Sequence, residues 1–147
     1  MSKTRNLLHI VFTTKHRRKT IPIESRRRLY AYLYALLKNK HCTVLRINGL
    51  GDHIHLLIDL NPTIALADIV KEMKRSSSLW MKNEEEFKSF DGWNEGYYAA
   101  SIGPSEETAC INYIINQEKH HGLTDFLEEM RYWAMECKLN WDERDWC

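Results

Sequence analysis

One run of residues constrains the fold of this chain more than any other: Gly51-Asp52-His53-Ile54-His55-Leu56-Leu57-Ile58. Side chains alternate across an extended strand, so His53, His55, Leu57 and Asp59 share one face while Ile54, Leu56, Ile58 and Leu60 share the other. The aliphatic face demands a covering layer. The opposite face carries two imidazoles side by side, where they can hold a metal ion. A half-exposed strand can also carry two histidines for no catalytic reason, so the pair alone leaves both readings open.

The flanking sequence alternates strand and helix signals. Residues 6–13 are rich in β-formers, and 24–39 place Leu29, Leu33, Leu36 and Leu37 on one helical stripe. Residues 42–48 and 53–60 form two strands joined by Gly49-Leu50-Gly51-Asp52, a glycine-rich connection that fits a hairpin. Asn61-Pro62-Thr63 breaks the sheet, and 64–82 form a second helix with Leu66, Ile69, Val70, Met73 and Trp80 inward. Residues 93–102 complete the pattern as a fourth strand. The order β-α-β-β-α-β predicts an α+β, ferredoxin-like (RRM-like) antiparallel sheet with both helices on one face and His53 and His55 on the other. Pro104-Ser105-Glu106-Glu107 then starts a further helix, for which Gly122 after His120-His121 is a fitting stop. On it Tyr113, Gln117 and His120 share a face, and Cys110, Ile111, Ile114 and Ile115 supply a packing surface. A polar helix face in water is the plain alternative for the Tyr/Gln/His stripe. The chain of 147 residues reads as one domain, 1–147, with a core over 5–121 and an acidic extension over 122–147 to which the sequence assigns no role.

The formal charge of +1 conceals an asymmetry: residues 1–40 hold 11 Lys or Arg against the single acid Glu24, while 41–147 hold 10 basic and 19 acidic residues. The positive charge gathers in Lys15-His16-Arg17-Arg18-Lys19 and Arg26-Arg27-Arg28. Such density suits a polyanionic backbone, although a solvated helix face explains the second cluster as well. The four cysteines form no Cys-x-x-Cys pair, and no segment reads as a membrane span or a signal peptide. The expectation is a cytoplasmic protein with reduced thiols and no membrane contact.

Taken together, the motifs resemble the single-tyrosine HUH transposases of bacterial and archaeal insertion sequences, the REP-associated tyrosine transposases among them. HUH denotes His, a hydrophobic residue and His. The resemblance runs through His9-Ile10-Val11-Phe12-Thr13-Thr14-Lys15-His16-Arg17-Arg18, the central Gly51-Asp52-His53-Ile54-His55-Leu56-Leu57, Lys74-Arg75-Ser76-Ser77-Ser78, Gly96-Tyr97-Tyr98-Ala99-Ala100-Ser101, and Tyr113-Ile114-Ile115-Asn116-Gln117-Glu118-Lys119-His120. It implies that His53, His55 and Gln117 bind a divalent metal, Mg²⁺ or Mn²⁺, and that Tyr113 is the nucleophile. It further implies cleavage of single-stranded DNA through a 5′-phosphotyrosine with a free 3′-hydroxyl, hairpins at the element ends as the substrate, and a homodimer whose tyrosine helix completes either its own or its partner's site. DNA contacts are expected from Lys15, Arg17, Arg18, Lys19, Lys74 and Arg75; Phe12, Trp93 and Tyr97 are available for base stacking, although a place in the core is the plainer reading of each.

The chemistry suits these residue types. A phenolate can form an ester with phosphorus and so conserve the bond energy of the broken strand. At an unperturbed pKa of about 10 a tyrosine is a poor nucleophile without help, and a divalent ion supplies that help by polarising the phosphate. Two other readings share the layout: a non-catalytic single-strand-binding module, and a hydrolytic metal nuclease in which Tyr113 is dispensable and His120 or Asp52 acts as base.

Overall fold

A computed structural model describes residues 2–117, 126–142 and 144. Its sheet has four strands, β1 (Leu7–Thr13), β2 (Thr43–Gly49), β3 (His53–Asp59) and β4 (Tyr98–Ser101), ordered β2-β3-β1-β4 with every neighbouring pair antiparallel. Helices α1 (Arg26–Asn39) and α2 (Leu66–Lys82) follow β1 and β3. This is the ferredoxin-like arrangement expected from the sequence.

The first core forms where α1 and α2 meet one sheet face. Leu29, Leu33 and Leu37 recur every fourth residue along α1, and Ile69, Val70, Met73 and Met81 line α2; both stripes pack on Leu8, Ile10, Phe12, Ile54, Leu56 and Ile58. The β2–β3 hairpin brings backbones together so closely that a Cβ on Gly49 would stand 2.2 Å from the His53 carbonyl oxygen, so only glycine fits there.

The other sheet face is covered as well. Helix α3 (Glu107–Ile115) lies over Leu7, Leu57 and Ile102 through Cys110 and Ile114. Helix α4 (Phe126–Glu136) lies over Val11, Tyr98 and Ala100 through Phe126, Met130 and Ala134. All seven residues of β1 are therefore buried, and its near-continuous apolar run is the signature of a strand covered on both sides. The sequence leaves His53 and His55 on the sheet face away from α1 and α2, with the C-terminal segment as the candidate cover; the structure buries both completely beneath α3 and the acidic extension.

Element boundaries shift for local reasons. The first helix begins at Arg26, two residues later than expected, because Pro22 leads into a 3₁₀ turn at Ile23–Ser25. The fourth strand is shorter than 93–102, since Gly92 and Gly96 take positive φ values of 125° and 77° that only an unhindered residue adopts easily. Trp93 joins the sheet through a bridge to Thr14 alone. The expected stop at His120-His121-Gly122 lies outside the described residues, as does Cys147; α3 itself ends at Ile115. Cys42 and Cys110 are free and buried, Cys137 is free and half-buried, and no described helix is long and apolar enough to cross a membrane.

Candidate active site

The sheet register assembles the histidines. Val11 pairs with His55 and Thr13 with His53, so His9 stands diagonally across from His55 on the same face. His9 Nε2 lies 3.0 Å from His55 Nδ1, with the rings stacked at 5.2 Å. The His53 and His55 rings sit edge to face with centroids 5.1 Å apart. His9 is fully buried, and burial lowers its pKa to about 3, so it stays neutral and shares one proton with His55 across their contact.

Helix α3 brings the remaining candidates onto this cluster. Its C-terminal turn is pinned by Asn48, which stands opposite His55 on β2 and donates from Nδ2 to the carbonyls of Ile114 at 2.9 Å and Ile115 at 3.2 Å. Tyr113 then lies with its ring 5.4 Å from His55 and 6.2 Å from His9, flanked by Trp133 of α4 at 5.0 Å. Its hydroxyl donates to Glu129 Oε2 at 3.0 Å. Burial, and then the nearby Glu129 carboxylate, push the Tyr113 pKa well above that of an ordinary phenol.

Gln117 is buried against His53. Its Nε2 donates to the Tyr113 carbonyl at 3.3 Å, which turns Oε1 toward His53 Nε2 at 3.0 Å. On the far side of the same ring, His53 Nδ1 is 2.6 Å from Asp52 Oδ1. A neutral His53 that donates from Nδ1 to the carboxylate presents the Nε2 lone pair to the amide oxygen, so two acceptors face one another. Either a second proton on the ring or a cation shared by both atoms resolves the conflict. Neighbouring ligands of one small divalent cation stand roughly 3 Å apart, given metal–ligand distances of about 2.0–2.1 Å in octahedral geometry. The 3.0 Å gap and the donor types of His53, His55 and Gln117 thus fit such an ion. Among the described residues no three His, Cys, Asp or Glu side chains form a metal-ligand cluster, because the third candidate ligand is an amide.

The expected DNA contacts separate into distinct environments. Arg17 turns inward: its Nε lies 3.8 Å from Asp52 Oδ2, and its guanidinium packs 4.9 Å over the Phe126 ring. Arg18 pairs with Asp91 at the surface, and Lys15 and Lys19 are exposed. Lys74 donates from Nζ to the carbonyls of Asn94 and Gly96, so its ammonium ties α2 to the loop before β4; burial lowers its pKa. Arg75 lines a groove between α2 and that loop with Lys71, Trp93 and Tyr97. Of the three aromatics, Phe12 is core, Trp93 packs edge-on against it at 4.9 Å, and Tyr97 is exposed.

Sequence reasoning did not single out His9, Asn48 or Glu129 as site residues, and it considered Asp52 only as a hydrolytic base. His9 carried a signal, since it opens one of the motifs behind the resemblance. Glu129 carried none, being one acid among many in the extension. His120, the alternative base of the nuclease reading, lies outside the described residues.

Comparison with known proteins bears on the same residues. The family model described as Transposase IS200 like matches residues 2–117, a span that includes the histidine pair, Tyr113 and Gln117. The transposase for insertion sequence element IS200 from Salmonella typhimurium is 30% identical over 115 residues, covering 74% of each chain. Among solved structures, a REP-associated tyrosine transposase bound to a REP hairpin matches with a TM-score of 0.64 at 14% identity, covering 84% of this chain and 76% of that one. A putative transposase from Deinococcus radiodurans matches with a TM-score of 0.57 at 22% identity, covering 80% of this chain and 98% of that one. These two structures share the fold, while the family model and the Salmonella relative carry the assignment: the chain belongs to the IS200-like transposase family and is an enzyme of the transposase class.

Proposed function

We propose that this transposase cuts and rejoins single-stranded DNA at the ends of an insertion sequence, with Tyr113 as the nucleophile and His53, His55 and Gln117 as the holders of a divalent metal, Mg²⁺ or Mn²⁺. One observation carries the reading. Within a single chain, Tyr113 stands beside His55 with ring centroids 5.4 Å apart, and Gln117 Oε1 faces His53 Nε2 at 3.0 Å, so both halves of the chemistry converge. A non-catalytic binding module has no use for a buried constellation of this composition, and a hydrolytic nuclease has none for a tyrosine held against the histidines.

In this mechanism the Tyr113 oxygen attacks the scissile phosphorus, the bond to the 3′-oxygen breaks, and the chain retains a 5′-phosphotyrosine. When bound, the metal withdraws charge from the phosphate and fixes the direction of attack. The protein residues do the rest. Asp52 orients His53 through Nδ1, His9 orients His55 through Nδ1, and Glu129 holds the phenolic hydroxyl in place through its hydrogen bond. Hairpin-forming single strands are the proposed substrate, supported by the REP hairpin bound in the structural neighbour.

The test is covalent capture. Labelled single strands tiling the DNA on either side of the coding sequence are incubated with the protein and Mn²⁺ and run on a denaturing gel. A protein–DNA adduct that vanishes in Tyr113→Phe and in EDTA is the expected result. Cleavage without an adduct supports the nuclease, and binding without cleavage supports the module.

A further inference from the structure

We propose that Arg17 is a catalytic residue that grips the non-bridging oxygens of the scissile phosphate, next to the His53 edge of the site; the inference rests on the strand-transfer reading above. Three observations converge on it. First, the guanidinium is held in place without being used up. It stacks on Phe126, whose ring lies 4.3 Å from that of His53, and its buried Nε stands 3.8 Å from Asp52 Oδ2, an ion pair with no hydrogen bond at Nε. The Nη edge of this planar fork, on the side away from the buried Nε, matches the bidentate geometry of a phosphate.

Second, the backbone is bent to put it there. His16 and Arg17 both take left-handed φ values, 55° and 53°, which residues bearing a Cβ adopt rarely and in succession more rarely still. The bend is held from both sides: Thr14 N–H donates to the Asp52 carbonyl at 2.9 Å, Thr14 Oγ1 donates to the Arg18 carbonyl at 2.6 Å, and Lys15 N–H donates to the Gly92 carbonyl at 2.9 Å. An extended or helical path would carry the side chain elsewhere.

Third, two of the neighbouring cations are already committed elsewhere. Arg18 is committed to Asp91 and Lys74 to two carbonyls. Asp52 links the parts, since Oδ1 faces His53 Nδ1 and Oδ2 faces Arg17. The imidazole and the guanidinium therefore share one carboxylate, and a phosphate approaching His53 meets the Nη edge of Arg17. In the reaction the Tyr113 oxygen–phosphorus bond forms, the phosphorus–3′-oxygen bond breaks, and the phenolic proton passes to solvent while water protonates the leaving oxygen. Arg17 exchanges no proton; it binds the charge that the phosphate oxygens carry through the transition state.

Removing that charge from the DNA is the discriminating experiment. The strand that wild-type protein captures is synthesised twice, with a phosphodiester or a neutral methylphosphonate at the scissile linkage. On the phosphodiester, Arg17→Ala should slow adduct formation by about 10²–10³-fold, with Arg17→Lys in between. On the methylphosphonate the difference between Arg17→Ala and wild type should largely disappear, while Mn²⁺ binding followed by electron paramagnetic resonance stays unchanged in the variant. An equal loss on both strands, no loss on either, or a loss of Mn²⁺ binding overturns the proposal, since each makes Arg17 a support for the loop or for His53. If wild type captures no strand at all, the strand-transfer reading falls and this inference falls with it.

Discussion

A phenol attacks phosphorus well only after it gives up its proton, and Tyr113 stands where burial and Glu129 both make that harder. Because its pKa lies above the ordinary value, adduct formation is expected to climb with pH across the neutral range and to show no plateau there. Glu129→Gln removes the negative charge that opposes ionisation, so the climb should move to lower pH; a pH–rate profile of adduct formation reads the shift directly, and an unmoved or upward-shifted profile refutes this role for the carboxylate. At this scale the sequence was informative where spacing alone sets geometry. His53 and His55 share a face by strand periodicity, and Gln117, just past the end of α3, keeps the four-residue relation to Tyr113 by donating to its carbonyl. It was silent where a contact depends on register or on distant packing. The His9–His55 contact exists because β1 pairs with β3 in one register, and the Tyr113–Glu129 bond exists because α4 folds back over α3. The pattern of β3 marked the histidine face as the one α1 and α2 leave uncovered, with the C-terminal segment as its candidate cover, but it could not tell that α4 as well as α3 returns to it.

Among the elements, α4 changes the reading most. The acidity of the extension concealed an apolar stripe, Phe126, Met130 and Ala134, spaced every four residues and seated on Val11, Tyr98 and Ala100. Charges on the outer face of a helix do not prevent its inner face from closing a core. Met130 is fully buried there, so Met130→Ala should destabilise the fold by about 2–5 kcal/mol, the usual cost of emptying such a site. Denaturant unfolding measures it, and a change below about 0.5 kcal/mol, typical of surface positions, would show that α4 does not belong to the cooperative core. The elements α1, α2 and β1 to β3 were legible because the helices carry aliphatic stripes of helical period and the strands carry runs of β-formers, even though burial on both faces removes the alternation of β1 and a bulge between Val44 and Arg46 interrupts β2. The fourth strand and α3 were misjudged at their ends, where Gly96 and the turn at Pro104–Glu106 override the apolar pattern.

For the molecule as a whole, the question is whether one chain holds a complete site. The sequence left both arrangements open, because a helix joined through Ile102-Gly103-Pro104-Ser105 can turn back or cross to a partner. In the structure, α3 turns back. Cys110 and Ile114 pack against Leu7 and Leu57 of the same sheet, Asn48 fastens the helix end, and Gln117 meets His53. Lifting α3 away would uncover that apolar patch and the buried Gln117 together, and α4, bonded to Tyr113 through Glu129, would have to part from it as well. We therefore expect no exchange. Mixing Tyr113→Phe with a His53→Ala/His55→Ala double variant should restore no adduct, because each chain then lacks half of its own site and cannot borrow the other half. The mixture is to be co-refolded with differently tagged chains, and any dimer isolated through both tags. Recovery of adduct formation in that fraction would mean that the tyrosine helix crosses between subunits, and that the packing of α3 on its own sheet gives way when a partner is present.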